Sequence, residues 1–175
     1  MMGIKGKERG FTIVELLIIV TIIGILASIT VLAYNGVQNR AYDTAVQADL
    51  RNVGVQLERY MVETGAYPFQ TQMTSAIMDI KMSKSSYMTN GGIYNALFCV
   101  ISNGAVQKYV VYGRSKSDTV YTYSSSAGLT KVASLAAASA DACSAAGIST
   151  ADAGYWAQWG FNSGNSGTWQ SWIKG

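Results

Sequence analysis

The chain contains no histidine, one proline and two cysteines among its 175 residues. Without histidine there is no Ser-His or Cys-His nucleophile and no His-ligated metal site. Cys99 and Cys143 cannot build a zinc or iron–sulfur centre unaided. The single proline, Pro68, argues against a Pro-rich linker or a disordered arm. Charge is scarce as well: 13% of the residues are Asp, Glu, Lys or Arg, where a soluble domain carries about 25%. A net charge of +3 is too small for a protein that coats nucleic acid. No internal repeat of fixed period is visible. What remains is an excess of apolar residues, 49% of the chain, and its densest part lies near the amino terminus.

From Phe11 to Ala33 the sequence reads FTIVELLIIVTIIGILASITVLA, with Glu15 as its one charged residue. At about 1.5 Å per residue a helix of that length reaches roughly 35 Å, enough to cross a hydrocarbon core of about 30 Å. A helix in a soluble core is seldom apolar on every side for so long. Ahead of the run Lys5, Lys7 and Arg9 outweigh Glu8. Basic flanks stay cytoplasmic, so the amino terminus is expected inside and everything after Ala33 outside. Both cysteines then face an oxidising compartment, where a disulfide between Cys99 and Cys143 is the default use. A loop of about 45 residues closed in this way is worth roughly 4 kcal/mol in the chain-entropy description. The alternative, a reactive thiol pair, calls for CxxC-like spacing, which these two cysteines lack.

Two features set the run apart from a secretory signal. Such a signal has a shorter apolar core with a small-residue cleavage site after it; here the small residue, Gly10, comes before. A carboxylate inside an apolar segment is costly and usually has a named partner. Glu15 either has one or sits close enough to the interface to be solvated. The stretch KGKERGFTIVELLIIVTIIGILASI closely resembles the prepilin signal of type IV pilins and pseudopilins. Its elements are a glycine, an aromatic, a threonine, and a carboxylate four residues past the aromatic, all at the head of an apolar run. Weaker similarity continues through AYNGVQNRA and ERYMVETGAYP.

The resemblance implies cleavage after Gly10 by a prepilin peptidase, N-methylation of the new first residue Phe11, and use of Glu15 in assembly. It implies as partners the lipid bilayer, other pilin subunits and an inner-membrane assembly platform. It further implies a single-pass protein of the cytoplasmic membrane, amino terminus inside, that ends in a cell-surface filament. The expected divisions are a leader at 1–10, a transmembrane and assembly helix at 11–33, and an extracytoplasmic globular domain at 34–175. One departure stands out: many pilins carry a proline near the end of the apolar run, where this chain has Leu32. Gly24 leaves a weak point in the helix, and Asn35 with Gly36 is the next candidate bend.

Beyond Gly36 the pattern becomes amphipathic. Val46, Leu50, Val53, Leu57 and Tyr60 recur at helical spacing, with Arg40, Asp43, Asp49, Arg51, Arg59 and Glu63 mostly elsewhere on the wheel. The amphipathic helix is expected over 37–64, ending at Gly65 before Pro68. Residues 11–64 therefore read as one long helix; a heptad coiled coil is disfavoured by Gly54. Residues 65–92 read as a surface loop with a short helix near Ser75–Ile80. Strands are expected at 105–115 and 119–125, with a turn at SKSD, and at Leu129–Val132. The preceding IYNALFCVIS is strand or helix, undecided by periodicity. Residues 133–147 read as a short Ala-rich helix or a collapsed loop holding Cys143. The whole is an α+β fold, a long helix packed on a small antiparallel sheet as in pilins.

All four tryptophans fall near the carboxyl end: Tyr155, Trp156, Trp159, Trp169 and Trp172 are interleaved with glycine and asparagine. Aromatics on polar loops suit sugars, other proteins or stacked bases. The competing reading is a hairpin that packs them inward to complete a thin core. Basic residues that would support nucleic-acid stacking are sparse. SWIK at 171–174 matches Ser-x-x-Lys but lacks the companion motifs of such enzymes. Asp141 and Asp152 do not form an EF-hand loop. No enzyme activity, cofactor or metal is therefore expected. The expected function is that of a structural subunit of a type IV pilus-like filament. The alternatives are a pseudopilin of a type II secretion or DNA-uptake machine, and a membrane-tethered binding module that never polymerises.

Overall fold

The computed structural model describes residues 10–69, 72–73, 80–89, 94–102, 106–133, 139–145, 147–162 and 169–175. The chain forms two compact units, one ending at Gln38 and the other running from Asn39 to Gly175. Helix α1 (Ile13–Thr64) contributes to both. It is helical throughout, Gly24, Leu32, Asn35 and Gly36 included, so none of the suspected weak points interrupts it. In the first unit its apolar side chains from Ile13 to Val31 have no burying partner and are exposed.

In the second unit α1 buries Val46, Leu50, Val53 and Leu57, the stripe its spacing predicts. It ends at Gly65, which adopts a positive φ of 81° while its N–H still reaches the Met61 carbonyl at 2.8 Å. This stripe packs on a five-stranded antiparallel sheet made of β2 (Tyr94–Ile101), β3 (Lys108–Arg114), β4 (Val120–Ser124), β5 (Gly128–Val132) and β6 (Tyr155–Asn162). Strand order is β5-β4-β3-β2-β6. Strands β2 to β5 form an antiparallel meander, of which β3, β4 and β5 fall where strands are expected. Strand β6 then returns to lie beside β2, with Leu97 opposite Trp159 and Val100 opposite Trp156. A short helix α2 (Ser139–Ala145) stands between β5 and β6. A separate two-stranded parallel pair joins β1 (Ile80–Lys81) to β7 (Ile173–Lys174).

Successive side chains along a strand point to opposite faces, and the sheet carries buried side chains on both. Ala96, Phe98, Val100, Tyr109, Val111 and Phe161 face the α1 stripe. Leu97, Cys99, Ile101, Val110, Tyr112 and Val120 point the other way, under Ala142, Cys143 and Ile148.

Several expectations are corrected by this arrangement. Within the undecided IYNALFCVIS, Tyr94–Ile101 form β2, an interior strand between β3 and β6; being buried on both sides, it shows no alternation to read. The strand expected from 105 begins at Lys108. The loop assigned to 65–92 contains β1 and a turn of 3-10 helix at Lys84–Ser86. Of the helix expected near Ser75–Ile80, residues 75–79 lie outside the described residues and Ile80 belongs to β1. Of the hairpin considered for the carboxyl-terminal aromatics, residues 163–168 lie outside the described residues; β6 pairs with β2, and Phe161 makes an antiparallel bridge to Trp169.

Candidate functional site

At the head of α1, Thr12 and Glu15 bind each other reciprocally. The Thr12 N–H donates to Glu15 Oε2 at 2.9 Å, and its hydroxyl donates to the same oxygen at 2.8 Å. In return the Glu15 N–H donates to Thr12 Oγ1 at 3.2 Å. This is a capping box: the first-turn N–H groups have no intrahelical acceptor, and the two side chains satisfy one at each end. Glu15 is thus locally partnered at its own helix start, and Thr12 is the site residue that the sequence reading overlooked. Its signal was present in Thr-Ile-Val-Glu ahead of an apolar run, the Ser/Thr-x-x-Glu pattern. Gly10 and Phe11 precede the helix and are exposed, Phe11 at 78%. The candidate processing point is therefore open backbone followed directly by a capped apolar helix.

Cys99 on β2 and Cys143 on α2 are joined as a disulfide, with Cα atoms 5.8 Å apart across a sequence separation of 44. Both are fully buried, which takes the pair out of reach of small oxidants and reductants and agrees with a structural use.

The carboxyl-terminal aromatics divide between the two faces of the sheet. Tyr155 packs against the outer cluster, while Trp156, Trp169 and Trp172 join the inner one. Trp172 is 8% exposed and lies 5.3 Å from the Phe98 ring. Trp169 sits edge-on to Tyr87 at 5.2 Å, with the Lys84 ammonium 6.0 Å from its ring. The Trp159 backbone belongs to β6; its side chain lies outside the described residues. Among the described positions the aromatics complete the core, leaving parts of Trp156 and Trp169 at the surface.

A cleft of about 520 Å³ lies beside α1, lined by Asp49, Asn52, Lys81, Ser83 and Lys84. Asp49 is nearly buried and accepts the Ser83 N–H at 2.6 Å and the Ser83 hydroxyl at 3.2 Å. Burial raises its pKa, and the two Ser83 donors offset part of that rise. The Asp152 carboxylate accepts the Ser149 N–H at 2.8 Å. Among the described residues no three acidic or cysteine side chains come together as a metal site.

The prokaryotic N-terminal methylation motif matches residues 5–31, spanning Gly10, Phe11, Thr12 and Glu15. The chain thus carries a prepilin-type signal, which indicates processing by a prepilin peptidase. It is homologous to type II secretion pseudopilins and to a type IV pilin. The type II secretion system core protein G of Pseudomonas aeruginosa is 29% identical over 74 residues, 42% of this chain and 52% of that protein. The Klebsiella pneumoniae protein of the same description is 31% identical over 72 residues, 41% and 51% of the two chains. The type IV wide pilus major component PilA4 of Thermus thermophilus is 28% identical over 109 residues, 62% and 76%. The chain therefore spans about half the length of these secretion-system relatives and three quarters of PilA4.

Proposed function

We propose that this chain is a structural subunit of a type IV pilus-like filament. In this reading it is cut after Gly10, methylated on Phe11 and held in the cytoplasmic membrane by residues 11–33, with 34–175 outside. Other subunits, a prepilin peptidase and an inner-membrane assembly platform are its partners. The observation that carries the proposal is an apolar helix without a burying partner among the described residues, headed by a single carboxylate. Such a surface has to be covered by lipid before assembly and by other helices afterwards.

Glu15 supplies the register. Cleavage leaves a cationic amine on Phe11, and a carboxylate in an apolar surrounding is stabilised by an opposite charge. While the subunit waits in the bilayer, Thr12 holds the carboxylate. During assembly it exchanges this partner for the amine of a neighbouring subunit, and apolar burial along 11–33 supplies cohesion at about 25 cal/mol per Å². Glu15→Ala is expected to insert and be processed normally but to enter filaments poorly when co-expressed with wild type. Subunit in sheared filaments is measured against subunit in membranes. Equal incorporation of the variant refutes the role given to Glu15.

A second reading, a pseudopilin of a type II secretion machine, is favoured by the relatives described as secretion core protein G. Deletion separates the two: loss of long surface fibres supports the pilus, whereas loss of protein secretion with fibres unaffected supports the pseudopilin.

A further inference from the structure

In the second unit, the first residues of α1 lie against the turn between β3 and β4. The Ser117 hydroxyl donates to Asp43 Oδ1. Gly113, just before the turn, comes so close to the helix that a Cβ on it would lie 2.8 Å from Val46 Cγ1. The turn is fixed at its backbone. The Ser115 N–H reaches the Thr119 carbonyl at 2.9 Å, the Asp118 N–H that of Ser115 at 2.9 Å, and the Lys116 N–H that of Ser86 at 2.9 Å. Lys116 is thus presented from an anchored loop, with its ammonium 5.4 Å from the centre of the Tyr42 ring.

The acids of this corner are held by donors of the chain itself. Asp43 accepts from Ser117, and Asp118 pairs with Arg114, whose Nε lies 2.7 Å from Oδ1. Arg40 and Lys116 are exposed, and no carboxylate among the described residues forms an ion pair with either. Lys131, also exposed, stands opposite Tyr121 on the β4–β5 ladder, one pair from the end that adjoins the turn. Four cations therefore meet two acids. The last turns of α1 have the opposite balance: Glu58 and Glu63 stand against Arg59, which pairs with Glu63 at 3.0 Å.

Tyr42 follows Ala33, the end of the apolar run, by nine residues of uninterrupted helix. At about 1.5 Å per residue it stays within about 14 Å of that end. A headgroup layer is about 5–8 Å deep, and the field of an anionic surface extends roughly 8 Å beyond it at physiological salt. Together these reach the turn. We propose that Arg40, Lys116 and Lys131 form a docking surface for the anionic phospholipid headgroups of the membrane that α1 spans, keeping the globular domain against the bilayer before assembly. Tyr42 covers one side of the Lys116 ammonium and a lipid phosphate takes the other; a tyrosine is at home at that depth. The inference rests on the membrane anchoring proposed above.

The test uses the full chain in vesicles of phosphatidylcholine alone and of phosphatidylcholine and phosphatidylglycerol in equal parts, recovered by flotation. A water-soluble reagent acetylates the lysines, and mass spectrometry reads the rate at each. Lys116 is expected to react at least about threefold more slowly on the anionic vesicles, while Lys108, at the other end of β3, is unchanged. In about 1 M salt, where the screening length falls to about 3 Å, Lys116 regains its phosphatidylcholine rate. Arg40→Gln restores at least about half of the lost rate; Arg51→Gln, at an exposed position farther along α1, does not. Equal rates for Lys116 on both vesicles, in chain that floats with both, overturn the docking surface and leave the membrane reading standing. Equal slowing of Lys108 overturns it as well, because the whole domain then senses only the surface charge. Chain that floats with neither vesicle overturns the membrane reading and this inference with it.

Discussion

At the scale of single residues, Glu15 and Asp49 are each held by the backbone N–H and hydroxyl of one hydroxyl residue, Thr12 and Ser83. Glu15 is paired with Thr12 within its own first turn, so in the assembly role proposed for Glu15 it is Thr12 that positions the carboxylate. Thr12→Ala removes the cap hydroxyl but leaves the charge. Such a subunit is expected to be processed and to enter filaments less efficiently than wild type, while Thr12→Ser restores incorporation. Pulse-labelling of filament and membrane pools measures this, and a serine variant as poor as alanine contradicts it. Asp49 carries a pH signature. Its native pKa is raised by burial, so the folded state binds its proton more tightly than the unfolded chain. Stability from this group is therefore lowest where the carboxylate is ionised in both states. It grows as pH falls through the raised native value toward the unfolded one. Asp49→Asn abolishes that titration yet keeps an acceptor for the Ser83 N–H. Between neutral pH and about pH 4 the melting temperature of wild type should gain on that of Asp49→Asn. A difference that stays constant with pH contradicts the assignment.

At the scale of elements, legibility followed the number of buried faces. Helix α1 buries one stripe in the second unit, so Val46, Leu50, Val53 and Leu57 announced themselves by spacing. Leu50→Ala should cost about 2–5 kcal/mol. Val55→Ala on the opposite, exposed side should change stability by less than about 0.5 kcal/mol. Denaturant titration of the full chain in micelles compares them; similar losses for both would show that the stripe is not the packed face. Strand β2 was ambiguous because Leu97, Cys99 and Ile101 are as buried as Ala96, Phe98 and Val100. The pairing of β6 was not legible because its partner lies more than fifty residues away, on the far side of the meander, and local turn chemistry carries no record of such pairing. The capping box was readable and went unread, since the pilin-like pattern already supplied a use for Glu15.

At the scale of the whole molecule, the chain joins an apolar helical unit, exposed among the described residues, to a domain whose sheet carries buried side chains on both faces. The first unit was legible as composition and motif; the second only as a sequence of elements, because strand order and the split of the aromatics between faces depend on long-range contacts. Non-reducing peptide mapping of native material should return Cys99 linked to Cys143, and two free thiols would contradict the disulfide and the oxidising compartment together. The central claim is that a leader is removed at Gly10 and the remainder polymerises. Its most direct measurement is the mass and amino-terminal sequence of this chain in filaments sheared from its native host. The expected result is a chain that starts at Phe11, carries one added methyl group on its amine, and ends at the residue encoded last. Filament-borne chain that still retains Met1–Gly10 would contradict it.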